Sequence, residues 1–375
     1  MNPQVELNNK AENGDMLSFT LSGVNVSIAN AFRRTMLSDI PIVVFRTTPY
    51  TQNKANIITN TTRLNNEIIK QRLSCIPIHI KDIQHFPLKK YFMEVNFENN
   101  TDTIMFVTTE NFVIKDVDTK KPVSSDMIRE IFPANDYTGD FIDFVRLRPK
   151  VSEEIPGEKI NLTCEFDIGS AKEDGMFNAV STCSYGFTVD SQLQDIELSK
   201  KQQSWKDEGK TKEEIDFESE NWKLLDGLRI TKKDSFDFIV QSVGIYTDNE
   251  IADIACDILI GRFDELDTII EKDELEIINS QNTMSNCFDV ILQNEDYTIG
   301  KVLEYFLYTK FYETKILTFC GFKKMHPHDS ESIIRLAYLE PIEKATIKGH
   351  LKECIAESIK VFGRIKKEMT KLVKN

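Results

Sequence analysis

The chain has 375 residues, 41% of them hydrophobic and 28% charged, which is room for two or three domains with buried cores. Its formal net charge of −14 argues against general nucleic-acid binding, leaving only a local basic patch open. No run of about 18 apolar residues is present, so no transmembrane helix is expected. The start, Met1-Asn2-Pro3-Gln4-Val5-Glu6, lacks a signal-peptide layout, so an intracellular protein is expected.

In chain order, residues 16–24 alternate as a strand. Residues 27–38 follow as a short helix with Ile28, Ala31, Phe32, Thr35 and Met36 on one face, and Arg33 and Arg34 beside it. Residues 41–45 start a β-branched strand, and 64–75 read as a helix with Arg72 near its C-terminal end. Residues 76–189 are β-rich, with strands expected at 91–97, 103–109, 145–149, 159–167 and 180–189. Residues 190–222 are polar and charge-mixed and read as a linker or surface excursion anchored by Trp205 and Trp222. A strand at 236–244 precedes a helix capped by Asp248 and running to about 271. Its stripe is Ile251, Ala255, Ile258, Arg262, Leu266 and Ile269. A polar connector, 272–286, leads to a strand–helix unit and strands at 315–324 and 331–339. The final helix starts near Pro341, and its seam is Leu351, Ile355, Ser358, Phe362, Ile365, Met369 and Leu372.

One strand–turn–helix pattern occurs twice. Residues 16–38 overlie 287–309 without a gap. Leu17, Phe19 and Leu21 fall on Phe288, Val290 and Leu292, and Ser27-Ile28-Ala29 falls on Thr298-Ile299-Gly300. Phe32 falls on Leu303 and Met36 on Leu307. Arg33-Arg34 is matched by Glu304-Tyr305, so the copies differ where a planar guanidinium could hold a partner's carboxylate. Two related half-domains that pair as a dimer would are the natural reading.

Catalytic patterns are missing: there is no Gly-x-Gly-x-x-Gly, Walker-type loop or Gly-x-Ser-x-Gly. His326-Pro327-His328-Asp329 reads as a turn between strands, with a metal site as the alternative. The seven cysteines are scattered singly and read as reduced core thiols. No metal or cofactor is expected.

Asn30-Ala31-Phe32-Arg33-Arg34-Thr35-Met36-Leu37-Ser38-Asp39-Ile40-Pro41 resembles the signature of the RNA polymerase alpha-like family: bacterial alpha, its archaeal counterpart and the third subunit of polymerase II. Residues 66–78, with Arg72-Leu73-Ser74-Cys75-Ile76-Pro77, resemble its next conserved stretch. Residues 238–244 and the following helix resemble the end of its dimerisation domain. Asn294-Glu295-Asp296-Tyr297-Thr298-Ile299-Gly300 and the 320–327 turn resemble the eleventh subunit of polymerase II and its small archaeal counterpart, with Tyr297 and Lys301 as departures. Both partners in one chain is similar to polymerase subunits of large nucleocytoplasmic DNA viruses such as asfarviruses and mimiviruses.

The resemblance implies an α+β fold of two dimerisation half-domains in tandem, forming an intramolecular pseudo-dimer. The first half would be 1–45 and 230–272, with a β-rich insertion at 46–189 and a polar excursion at 190–229. A tether at 273–284 would lead to the second half, 285–375. Pairing is expected through Phe32, Met36, Ile251, Ile258, Leu303, Leu307, Leu351, Ile355, Phe362, Ile365 and Met369. The function implied is that of a non-catalytic assembly subunit holding the largest and second-largest polymerase subunits, with little or no direct DNA contact. Asn30, Arg33, Arg34 and Arg72 would face partners, and the insertion would meet small zinc-bearing subunits. If the chain is viral, the virion and host cytoplasm are its expected places. A self-associating scaffold or a ligand-binding protein is the alternative.

Overall fold

The computed structural model describes residues 1–7, 16–152, 154–281 and 283–374, with backbone alone at 372–374. Strands β1 (Gln4–Leu7) and β2 (Leu17–Ser22) lead into helix α1 (Val26–Ser38). Next come β3 (Ile42–Val44), β4 (Ala55–Asn60), α2 (Asn66–Ser74), β5 (Tyr91–Glu98), β6 (Met105–Thr108) and β7 (Val113–Asp116). They are followed by α3 (Ser125–Ile131), β8 (Asp143–Leu147), β9 (Lys159–Glu165) and β10 (Asp167–Gly169). The middle of the chain holds β11 (Val180–Val189), α4 (Ser191–Asp207), α5 (Lys212–Leu224), β12 (Thr231–Ser242) and α6 (Asp248–Glu271). The last part holds β13 (Ile277–Asn279), β14 (Cys287–Gln293), α7 (Tyr297–Leu307), β15 (Leu317–Lys323), β16 (Glu331–Tyr338) and α8 (Lys344–Lys374).

These elements form two units. The first comprises Met1–Met36, Thr182–Gln241 and Ala252–Asn375; the second comprises Leu37–Ser181 and Ser242–Ile251. The first unit contains two four-stranded sheets, ordered β1-β2-β12-β11 and β13-β14-β16-β15. The order is the same in both: an N-terminal edge strand, the strand before the short helix, then the last and penultimate strands. A short helix, α1 or α7, follows the second strand of each, and a long helix, α6 or α8, follows the last. The repeat therefore covers whole sheets, including edge strands β1 and β13, which the sequence pattern does not predict. In the first sheet Phe19 lies opposite Phe238, and their rings stack at 5.0 Å. In the second, Val290 lies opposite Ile334, both fully buried. Period-two alternation buries Phe19 and Leu21 on β2 and Phe236, Phe238 and Val240 on β12.

The second unit is built on the sheet β4-β9-β5-β7 and the pairs β10-β3 and β6-β8. Its core includes Phe45, Ile69, Met93, Val95, Phe112, Phe144 and Leu162.

The observed boundaries differ from those expected. Strand β3 pairs with β10, Val43 opposite Ile168, so 37–45 belong with the second unit. Strand β11 joins the first sheet, so 182–189 belong with the first. The polar stretch 190–229 is not an irregular linker. It forms α4 and α5, capped by Asp190 and by a Thr211–Glu214 capping box, with Leu198, Ile215 and Trp222 buried. The stretch read as a tether, 273–284, contains β13, whose Ile277 lies opposite Val290. Asn282, part of the same expected connector, lies outside the described residues.

Helix α6 also differs in detail. Its start is closed by Thr247: the Thr247 amide donates to Glu250 Oε2 at 2.7 Å, and the Glu250 amide donates to Thr247 Oγ1 at 3.3 Å. Asp248 instead accepts the Ser242 amide at 2.7 Å. The buried stripe runs through Ile251, Ala255, Leu259, Phe263, Leu266 and Ile270, so Ile258 and Ile269 lie on its flank. The helix is apolar over more than half its circumference, and its neighbours decide which part is covered.

Candidate functional site

Within the first unit the two repeats meet along helices. Asn294, Glu295 and Asp296 form the turn before α7, where Asn294 takes a left-handed φ of 57°. Asp296 caps α7 by accepting the Thr298 amide at 2.8 Å. Two arginines of the first repeat converge on this turn. Arg34 of α1 donates from Nη2 to Asp296 at 2.8 Å and from Nε to Thr298 Oγ1 at 2.9 Å. Arg262 of α6 forms a forked pair with Glu295, Nε donating to Oε1 at 3.4 Å and Nη2 donating to Oε2. The Arg262 and Glu295 side chains are only 14% and 17% exposed, so water screens this pair weakly. Burial alone would raise the Asp296 carboxyl. The Thr298 amide and hydroxyl, with Arg34 and Arg262, outweigh it and hold the group below its ordinary value.

The same turn explains the Thr298-Ile299-Gly300 motif. Thr298 Oγ1 receives Arg34, and Ile299 is fully buried. Gly300 lies against Phe322 of β15, where a Cβ would come within 2.1 Å of the ring. Tyr297 meets the same ring edge-on at 5.1 Å, and Lys301 pairs with Glu304 at 2.5 Å.

The long helices α6 and α8 run alongside one another in opposite directions. Lys366 pairs with Asp257 at 2.5 Å, Lys352 with Glu271 at 2.9 Å and Asp267 at 3.8 Å, and Lys348 with Asp273. Between these pairs the Phe263 and Phe362 rings stack at 6.1 Å. Helix α8 also packs against β1, and Arg364 donates to the Met1 carbonyl at 2.6 Å. Burial has the largest single effect and tends to lower the Lys366 ammonium, but its bond to Asp257 and the charges of Asp257 and Asp253 together outweigh it and raise the group.

Of the residues expected to pair, Phe32, Met36, Ile251, Leu303, Leu307, Leu351, Ile355, Phe362, Ile365 and Met369 are buried. Ile258 is half-buried; Leu372, the last residue of the expected α8 seam, lies outside the residues whose side chains are described. The rings of Phe32 and Phe238 meet at 5.9 Å, so Phe32 closes its own repeat's sheet. Ser358, the polar residue of the α8 seam, is fully buried and donates its hydroxyl to the Cys354 carbonyl at 2.8 Å.

The residues expected to face other chains are placed differently from one another. Asn30 Oδ1 accepts from Arg33 Nε at 3.1 Å and Nη2 at 2.9 Å, a local pair on α1. Arg34 is engaged inside the chain, as above. Arg72 donates to the carbonyls of Phe144 and Asp143, each at 2.7 Å, and so holds β8 to α2. Arg46 has no motif to mark it in the sequence, yet it is only 8% exposed. It pairs with Asp167 at 2.6 Å and Glu173 at 2.8 Å, and lies under the Phe177 ring.

No catalytic constellation emerges from the described residues. His326 and His328 are exposed in the β15–β16 turn with rings 5.2 Å apart. Among the described residues no group of three or more His, Cys, Asp or Glu is placed to hold a metal ion. The seven cysteines form no disulfide. Burial pushes the Cys183, Cys320 and Cys354 thiols up to about 12. Cys75, the exposed one, is raised as well, first by partial burial and then by Asp174, the opposite of an activated thiolate.

Residues 18–263 match the family model described as the RNA polymerase Rpb3/Rpb11 dimerisation domain. The chain belongs to this family. The match begins in β2, crosses the second unit and ends in α6 at Phe263. Over 195 residues the chain is 28% identical to the DNA-directed RNA polymerases I and III subunit rpac1 of Dictyostelium discoideum, covering 48% of this chain and 51% of that one. It is 25% identical over 190 residues to DNA-directed RNA polymerase subunit Rpo3 of Picrophilus torridus, covering 48% and 64%. It is 27% identical over 301 residues to RPAC1 of Bos taurus, covering 68% and 82%. The chain thus spans about half to two thirds of the length of the first two relatives.

Proposed function

We propose that this chain is a non-catalytic assembly subunit of a multisubunit DNA-directed RNA polymerase. In this reading its two sheet–helix repeats are third-subunit-like and eleventh-subunit-like halves, joined in tandem and paired as a heterodimer would be. The observation that carries the reading is the second sheet. It repeats the strand order of the first and is fixed to it within one unit by Arg34, Arg262 and the α6–α8 pairs.

The paired halves form a platform for the largest and second-largest subunits, and the second unit offers contacts to small zinc-bearing subunits. The fused arrangement follows that of the large nucleocytoplasmic DNA viruses, with virion and host cytoplasm as its places if the source is viral. Tethering holds the second half at an effective concentration of about millimolar, so pairing does not depend on balanced expression of two chains.

Arg33 is the docking residue to test, because its guanidinium reaches only the Asn30 side chain of its own helix among the hydrogen bonds described. The tagged chain, purified from its native source, is expected to carry the two large polymerase subunits, identified by mass spectrometry. Arg33→Ala is expected to reduce capture of the second-largest subunit with the melting temperature unchanged. Purification of the chain without polymerase subunits would overturn the reading, and undiminished capture by Arg33→Ala would remove Arg33 from it.

A further inference from the structure

We infer that charge selects the partner at this interface: the first half accepts a second half and rejects another copy of itself. The inference rests on the paired-halves reading above.

Two independent observations carry it. The first is the turn. In the ungapped overlay, Glu295 and Asp296 of the second half fall on Val24 and Asn25 of the first. Two first halves facing each other would therefore set Arg34 and Arg262 against a turn that has no carboxylate. Two second halves would set Tyr305, which falls on Arg34, against Asp296. Only the mixed pair gives each guanidinium its acid. Arg262 is the more demanding of the two, because at 14% exposure it has little water to replace a lost partner.

The second observation is the helix pair. Helix α6 carries eight acidic residues and one basic, whereas α8 carries nine basic and three acidic. Their antiparallel contact puts Asp257 on Lys366 and Glu271 on Lys352. An α6–α6 contact would line carboxylates against carboxylates within a Debye length, and α8–α8 would do the same with ammonium groups. The apolar seam around Phe263 and Phe362 would tolerate any of the three pairings, since it is greasy on both sides. The charges reject two of them, which is how specificity is gained from repulsion as well as attraction.

The test uses the full chain with a protease site inserted between Lys272 and Asp273, ahead of β13, and cut after folding. Sedimentation then reads the association of the two pieces. The cut chain without substitutions is expected to stay a one-to-one pair. Arg262→Glu and Glu295→Arg are each expected to raise the dissociation constant about tenfold or more, and the double reversal to recover most of it. A second cycle, Asp257→Lys with Lys366→Glu, uses a partly exposed pair and guards against a misfolded Arg262 variant. Single reversals that leave association unchanged, or double reversals that rescue nothing in either cycle, would overturn charge selection while leaving the pairing intact. Separation of the unsubstituted pieces on cutting would overturn both.

Discussion

Gly300 has no room for a side chain. Helix propensity alone would favour alanine there by about 1 kcal/mol. A Cβ within 2.1 Å of the Phe322 ring exceeds what small shifts absorb, and overpacking of this kind costs about 1–3 kcal/mol. Gly300→Ala is therefore expected to lower stability in a thermal melt, and Phe322→Leu in that background to recover part of the loss. A melt equal to or above the parent would show that the ring moves freely. The overlaid residue of the first repeat is Ala29, so the two copies differ here in packing as well as in charge. The sequence marks Thr298-Ile299-Gly300 as a motif but cannot say why, because Phe322 and Arg34 reach it only through the fold. Arg34 shows the opposite case. Its neighbour Arg33 stays on its own helix, while it crosses to Asp296, 262 positions away, and nothing local distinguishes the two.

At the scale of elements, α8 is the part the pattern predicts best. A four-three spacing of apolar residues is enough to fix which face is buried, and Leu351, Ile355, Phe362, Ile365 and Met369 are all buried. Phe362 stacks on Phe263 across the α6–α8 contact, so Phe362→Ala removes cross-helix packing and is expected to cost about 3–5 kcal/mol in chemical unfolding. A loss under about 1 kcal/mol would mean that the contact contributes little. Helices α4 and α5 are hidden by composition: their surfaces are so polar that the stretch reads as a linker. The Asp190 cap and the Thr211–Glu214 capping box are the local signals of helix starts there. Strands β1 and β13 are only four and three residues long, too short for alternation to be read, and exist because β2 and β14 offer them an edge. The charge contrast between α6 and α8 is countable in the sequence, but it gains meaning only because the helices lie together.

At the scale of the whole molecule, acid is expected to loosen the first unit. The Asp289 carboxyl is held below its ordinary value, first by its bonds to Arg335, directly opposite on β16; Asp296 is held down too, against the effect of burial. A depressed carboxyl contributes stability that is complete above its unfolded value near pH 4 and is lost as pH falls through the lower folded value. Asp253, raised by burial, works in the opposite direction and offsets part of this. Unfolding followed by circular dichroism is expected to set in below about pH 4, and Asp289→Asn to be less stable at pH 7 with a shallower decline in acid. An unchanged slope would remove Asp289 from the account. The sequence by itself determined the duplicated strand–helix unit and the buried seam of α8, because these depend on local periodicity and spacing, and its motifs carry the family resemblance. Tertiary structure alone decided where the units divide, that both repeats share one of them, and that Arg34 and Arg262 close on Asp296 and Glu295. Those outcomes depend on charges and strand edges brought together from far apart in the chain, and a pattern of neighbours carries no record of such encounters.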